Sequence, residues 1–288
     1  MLKKWISIVL LSFAVCAMAK TLTFAIPITE ILSNKPGINS QTAFAPLIQT
    51  LEKKTGWKIN TILYNSYYDA EKLLLNNKTD FIYTKVFPYI AAKKCNPMVK
   101  PVTSVLEWSS NSKKLASSYS ALIIADKSET NINSIQALKN TDFGFVNYFS
   151  ASGYIYTVQF LKQHGINYRH FFASTELFGN HSHLLDAIKN GEVSAGSVWE
   201  GIFHTHSQKP FKVLARINDI PTPLIASSAT MNPAQIKRLQ SAFLALPPAV
   251  YVNLPFKGMV KPITSRYDAA LPLASELGIY CSNNGNNA

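Results

Sequence analysis

The sequence predicts an α/β protein built as two lobes with a ligand cleft between them. Segments with strand and helix patterns alternate early in the chain, the order that a parallel sheet with crossover helices requires. The alternation resumes after Tyr119. One unit is even echoed: LLLNNKTDFIYT at 73–84 and LLDAIKNGEVSAGSV at 184–198 each read as helix, polar turn and short strand. Two such units place a concave site between them.

Leu22 to Ile26 is rich in β-formers until Pro27 breaks it, so a first strand gives way to a loop running to about Gln41. Phe44, Leu47, Ile48 and Leu51 then recur at helical spacing, and Thr55-Gly56 stops that helix. Trp57 to Leu63 reads as a second strand. Ser66 caps a helix carrying Ala70, Leu73 and Leu74, and Asp80 to Tyr83 reads as a third strand. Ligands gather at the carboxyl ends of parallel strands, here Pro27 to Glu30, Tyr64 to Tyr68 and Thr84 to Tyr89. Farther on come a strand at Tyr119 to Ala125, a short capped helix at Ser134 to Lys139, and a strand at Phe143 to Val146. A helix ending at His164-Gly165 follows, then a strand at Tyr168 to Ala173, a helix from about Ser182 to Lys189, and a strand near Val193 to Val198. Met231-Asn232-Pro233 opens a helix through Ala245, after which the chain returns to the first lobe. The expected division is a leader at 1–19, lobe 1 at 20–122 and 224–288, and lobe 2 at 123–223.

The leader MLKKWISIVLLSFAVCAMA has two lysines, an apolar run and a small-x-small end, the pattern of a secretory signal peptide. Its apolar run is shorter than a membrane span, so the expectation is an exported, soluble protein. Val15 stands where a lipid-attachment signal at Cys16 would place a small residue, which argues against a lipoprotein. Cys95 and Cys281 remain after cleavage, either as two thiols or as a bridge in an oxidising compartment. No Cys/His spacing suits zinc, and no cofactor is called for. The formal charge of +12 becomes +10 once Lys3 and Lys4 are removed, an excess that attracts small anions. The bases are scattered instead of forming a stripe between aromatics, which speaks against nucleic acid.

The stretch YFSASGYIYTVQFL at 148–161 carries the sharpest signal. Ser150, Ala151, Ser152 and Gly153 stand where the strand yields to a helix, so Ser150 can be an N-cap. The same position can hold an anion, because unspent amides and the positive end of the helix dipole converge there. A tetrahedral oxyanion needs several donors at once, and serine hydroxyls rotate to supply them.

The order of these stretches resembles the periplasmic phosphate/phosphonate-binding proteins of ABC importers, a branch of the type II periplasmic-binding-protein fold. The resemblance rests on FAPLIQTLEKKTG, NSYYDAEKLLLNNKTDFIYTKVFPYIAA, the stretch from YSALIIADKSET to FLKQHGI, NHSHLLDAIKNGEVSAG and MNPAQIKRLQSAFLAL. It implies that Ser150 to Gly153 hold the oxyanion, with Ala151 standing where the family usually has a hydroxyl. It also carries ligand contacts onto Tyr67, Tyr89 and His181, with Tyr68 and Glu200 as secondary candidates. The family's amine-reading loop corresponds to Asn218-Asp219-Ile220-Pro221-Thr222-Pro223, which has no acid after the first proline. That favours phosphate, phosphite or an unamined phosphonate. The resemblance further implies a monomer in the periplasm, a small anionic ligand, an inner-membrane permease as partner, and binding without catalysis.

Two other readings use the same residues. A sensor would report the ligand to a membrane partner through the same cleft. A metal hydrolase would use His181, His183, His204, His206 and Glu200, yet the i, i+2 histidine pairs share a face only on a strand, and they fall beside helices and loops.

Overall fold

The computed structural model describes residues 20–28, 39–109, 114–205 and 210–276. The expected leader, the loop at 29–38, His206, Cys281 and the polar tail lie outside them. Cys95 is disulfide-bonded.

The first part of the chain runs β1 (Thr21–Pro27), α1 (Ser40–Thr55), β2 (Lys58–Tyr64), α2 (Tyr67–Leu75), β3 (Phe81–Thr84), α3 (Val86–Cys95), β4 (Lys100–Trp108) and β5 (Leu115–Ala116). It continues as β6 (Ser118–Asp126), a 3-10 turn (Gln136–Leu138), β7 (Asp142–Phe145), a π turn (Ala151–Ile155) leading into α4 (Tyr156–Gln163), α5 (Tyr168–Phe171) and β8 (Ser174–Leu177). Then come α6 (His181–Asn190), β9 (Ala195–Trp199), α7 (Glu200–Thr205) and β10 (Phe211–Pro221). The return comprises β11 (Leu224–Ser227), α8 (Pro233–Leu244), a 3-10 turn (Pro248–Tyr251), β12 (Gly258–Val260), α9 (Thr264–Asp268) and α10 (Leu271–Glu276).

Two sheets result. One has the order β12-β4-β11-β3-β1-β2, with β5 on β4, and the other β10-β6-β9-β7-β8. β1 pairs in parallel with β2 and β3, and β7 with β8 and β9. β11 and β6 add antiparallel pairings. The parallel strands put Pro27, Tyr64 and Thr84 on one edge of the first sheet, and Phe145, Leu177 and Trp199 on one edge of the second. The sheets change over between β5 and β6 and between β10 and β11. The boundary expected at 122/123 therefore cuts through β6, which pairs with β9 and β10 along its length.

Local chemistry explains the elements. Asn39, Ser66 and Asn232 each form a capping box at α1, α2 and α8, satisfying two orphan amides at each start. Gly56 and Gly191 close α1 and α6 in the left-handed region, at φ 65° and 75°. Under the first sheet Phe24 stacks on Phe81 with centroids 4.5 Å apart, and Phe44 and Phe243 meet Phe24 edge-on. A second cluster joins α2, α3, α4, β6, β7, α9 and α10, so buried apolar contact is continuous from one sheet to the other.

One expected strand is a helix. Within the expected strand at Tyr168 to Ala173, Tyr168–Phe171 forms α5 because Asn167 caps it, its side chain accepting from the Arg169 N–H at 3.2 Å. This turn lets Phe172 stack on Phe143, with centroids 4.4 Å apart, and the strand is displaced to the exposed segment Ser174–Leu177.

The two crossing segments run side by side. Thr222 N–H donates to the Ser117 carbonyl at 3.2 Å, and Thr222 Oγ1 donates to the Val105 carbonyl at 2.7 Å. Tyr267, from α9, donates its phenol to the Thr222 carbonyl at 3.2 Å, so Ser104 Oγ donates to that phenol at 2.7 Å. Burial raises the Tyr267 phenol to about 12, which keeps it a donor. Tyr267→Phe strands the Ser104 hydroxyl and the Thr222 carbonyl, and should cost about 2 kcal/mol of stability in urea unfolding.

Candidate anion site

β7 delivers the chain to Ser150, whose extended backbone and side chain cap the next helix: Ser150 Oγ accepts from the Gly153 N–H at 3.0 Å. The Ser150 carbonyl takes the N–H groups of both Tyr154 and Ile155, at 3.1 and 3.0 Å, which winds the first turn as a π turn. The cause is close packing. A Cβ on Gly153 would stand 2.4 Å from Val146 Cγ2, and Val146 N–H donates to the Gly153 carbonyl at 3.1 Å. Gly153 thus lets the helix approach the strand end. The Ser152 carbonyl is held by Thr157 Oγ1 at 2.8 Å and Ser197 Oγ at 2.9 Å.

The consequence is a sorting of donors. The amides of Gly153, Tyr154 and Ile155 are spent on Ser150, while those of Ala151 and Ser152 have no acceptor among the described residues. Two amides, with the Ser150 and Ser152 hydroxyls beside them, remain for an anion at the helix mouth.

His181 opens α6 at the same edge. Its Nδ1 accepts from the Trp199 N–H at 3.1 Å, which leaves the neutral ring's proton on Nε2. Burial, reinforced by the charge of Lys85, lowers the imidazole to about 4. His181 is therefore a neutral hydrogen-bond donor at physiological pH.

The first sheet faces this mouth with Tyr67. Its ring stacks on Phe149, the residue before Ser150, at 5.8 Å and 19°, and Phe87 meets Phe149 edge-on at 5.3 Å. Tyr119, at the start of β6, meets Trp199 edge-on with centroids 6.5 Å apart. Beside Tyr67 lies a cavity of about 60 Å³ lined by Pro27, Asn65, Ser66, Thr84 and Lys85 among others. At about 10–15 Å³ per water-sized sphere, it accommodates a group of roughly the five heavy atoms of phosphate or methylphosphonate. A larger hollow of about 350 Å³ beside the edge strand β2 is lined by Leu63, Asp69, Lys72 and Lys78 and opens to solvent. The smaller cavity is lined by residues of the first sheet and its helices, and it is the one of interest because it lies beside Tyr67, whose ring reaches Phe149 next to Ser150.

Other candidates are placed elsewhere. The chain enters α3 at Val86, directly after β3, so Tyr89 lies on a helix and not on a loop; it is fully buried, edge-on to Tyr267 at 5.6 Å, with its hydroxyl unpartnered. Tyr68 is 53% exposed, its ring under the Lys72 ammonium. Glu200 is buried, but Arg216 and His204 of its own lobe engage it. Asp219 sits on a bulge of β10 at φ 59°, facing Arg266. His183 is exposed and bonds its own cap, Asn180. Among the described residues no group of three His, Cys, Asp or Glu could hold a metal ion.

Two charged residues escaped the sequence reading. Lys85 is the first residue after β3, a position included among the strand ends but overshadowed there by Tyr89. Glu107 lies near the end of β4, a strand without clear alternation. Burial raises its carboxyl above the usual range, and Lys85 partly offsets this.

Two α/β sheets joined by paired crossing segments, with donors ranged along the gap, define a solute-binding protein of the periplasmic-binding-protein fold. The fold matches the Xanthomonas citri protein XAC2383 bound to ATP, with a TM-score of 0.72 at 13% identity over 90% of this chain and 98% of that one. It also matches PhnD1 from Prochlorococcus marinus in complex with methylphosphonate, with a TM-score of 0.64 at 15% identity over 91% and 99%. In sequence, the phosphate-import protein PhnD of Mycolicibacterium smegmatis is 24% identical over 233 residues, 75% of this chain and 71% of that protein. The family of periplasmic substrate-binding proteins of phosphonate ABC transporters matches residues 31–267, and the chain belongs to it. Among the described residues no helix is long and apolar enough to cross a membrane.

Two outcomes test this geometry. Gly153→Ala drives a methyl into Val146 and should destabilise the protein by about 1–3 kcal/mol, read from urea midpoints. Because the folded His181 titrates below its ordinary range, its contribution is complete above about pH 6.5 and is lost as pH falls toward 4, on the order of 3 kcal/mol in total. His181→Gln should flatten the fall in melting temperature across that window.

Proposed function

We propose that the chain captures a small phosphorus oxyanion, either phosphate, phosphite or an unamined phosphonate, and hands it to an ABC permease without chemical change. The observation that carries this reading is the helix mouth: two amides without an acceptor among the described residues, two serine hydroxyls and the neutral Nε2–H of His181 supply donors suited to a tetrahedral anion. These donors are themselves neutral, so none of them carries a charge that must be stripped of water in the empty cleft. Names of relatives point the same way, since one is a phosphate-import protein and another is seen with methylphosphonate. Glu200 held by Arg216, and Asp219 turned toward Arg266, leave neither acid for a ligand amine.

In this reading the leader exports a monomer to the periplasm, and the lobes divide at the changeovers near Ser117 and Thr222. Closure about those segments brings Tyr67 onto an anion seated at Ser150 to Gly153. Tyr89 supports the wall behind the site through Tyr267.

Titration calorimetry with phosphate, phosphite and methylphosphonate should reveal at least one tight ligand. Ser152→Ala should weaken it by roughly tenfold or more, the usual worth of a hydrogen bond to a charged group. No heat with any of the three would overturn the ligand class.

A further inference from the structure

We propose that Lys85 is the fixed counter-charge of the bound anion, and that it makes the cleft prefer dianions to monoanions of the same shape. The inference rests on the anion-capture reading above and adds to it a residue and a selectivity.

Lys85 is the N-cap residue of α3, in extended backbone at φ −67° and ψ 165°, and its side chain makes no capping bond. It lines the small cavity together with Thr84 and Tyr67 and is half-buried. Two other half-buried lysines have partners: Lys93 pairs with Asp268, and Lys257 donates to the Tyr251 and Leu254 carbonyls. Among the described residues no carboxylate comes within ion-pair distance of the Lys85 ammonium. A cation drawn out of water without a partner is costly, and an anion in the cavity would remove that cost.

The position also fits the second lobe. The Lys85 charge acts on His181, on the opposite side of the gap, and on Glu107 at the end of β4. The titratable groups around it are therefore Glu107, His181, Tyr64 and Tyr67. Ser150, Ser152 and His181 offer neutral donors to the oxygens, which serve one negative charge about as well as two. Lys85 distinguishes them, because its attraction grows with the ligand's charge. Glu107 opposes it, repelling the second charge.

Methylphosphonate and methanesulfonate have nearly the same shape, but above the second pKa of the phosphonate only the former is a dianion. Calorimetry in that range should show the unaltered protein preferring methylphosphonate. Lys85→Met should reduce the preference by at least about tenfold, Lys85→Arg should retain it, and Glu107→Gln should enlarge it. A structural role would weaken both ligands alike, and thermal melts without ligand check that each variant is folded. A preference unchanged within about twofold in folded Lys85→Met overturns the Lys85 proposal while leaving anion capture standing. Absence of binding to either anion and to phosphate by the unaltered protein overturns both.

Discussion

The site depends on the contact between Gly153 and Val146. Because the helix start is pressed against the end of β7, its first turn cannot take ordinary α spacing and winds as a π turn around the Ser150 carbonyl. That winding decides which amides are consumed and which point outward. It also displaces the Ser152 carbonyl from its helical partner, and the buried hydroxyls of Thr157 and Ser197 replace the missing donors. The fold therefore accepts an irregular turn, with its own hydroxyl support beneath, at the place where an oxyanion needs donors.

Electrostatics divide the gap unevenly. The second sheet contributes neutral donors, with His181 kept uncharged by burial and fixed in one tautomer by the Trp199 amide. The first sheet contributes formal charges, Lys85 and Glu107, brought to the edge by β3 and β4. Neutral donors tolerate being empty because water can replace a ligand oxygen, whereas charges set preference among ligands at a cost in the unliganded state.

Much of the fold was legible because capping and periodicity are local. Ser66, Asn232 and Gly191 announced their helix ends, and parallel pairing followed from the order of elements. Ser150 could be read as a cap for the same reason. The π turn could not be, since it arises from a contact between Val146 and Gly153 that spacing does not reveal. The aromatic run after Asn167 resembled a strand, but tertiary stacking of Phe172 on Phe143 favours one helical turn. Tyr89 was carried over from the family resemblance, whereas Lys85, one residue beyond the strand, had no counterpart in it. Glu107 required the path of β4, which alternation did not disclose.

The crossing segments and the aromatic contact at Phe149 act at different places. Thr222 is tied to Ser117, Val105 and Tyr267, so the lobes can part by turning about that knot without breaking it. Parting them must, however, lift Tyr67 and Phe87 from Phe149. The closure proposed above would thus be adjustable through ring packing at Phe149, which adjoins Ser150 and stacks on Tyr67 but is itself no donor. Mutation at Phe149 could alter how readily the protein grips any ligand while leaving intact the chemistry by which it tells one ligand from another.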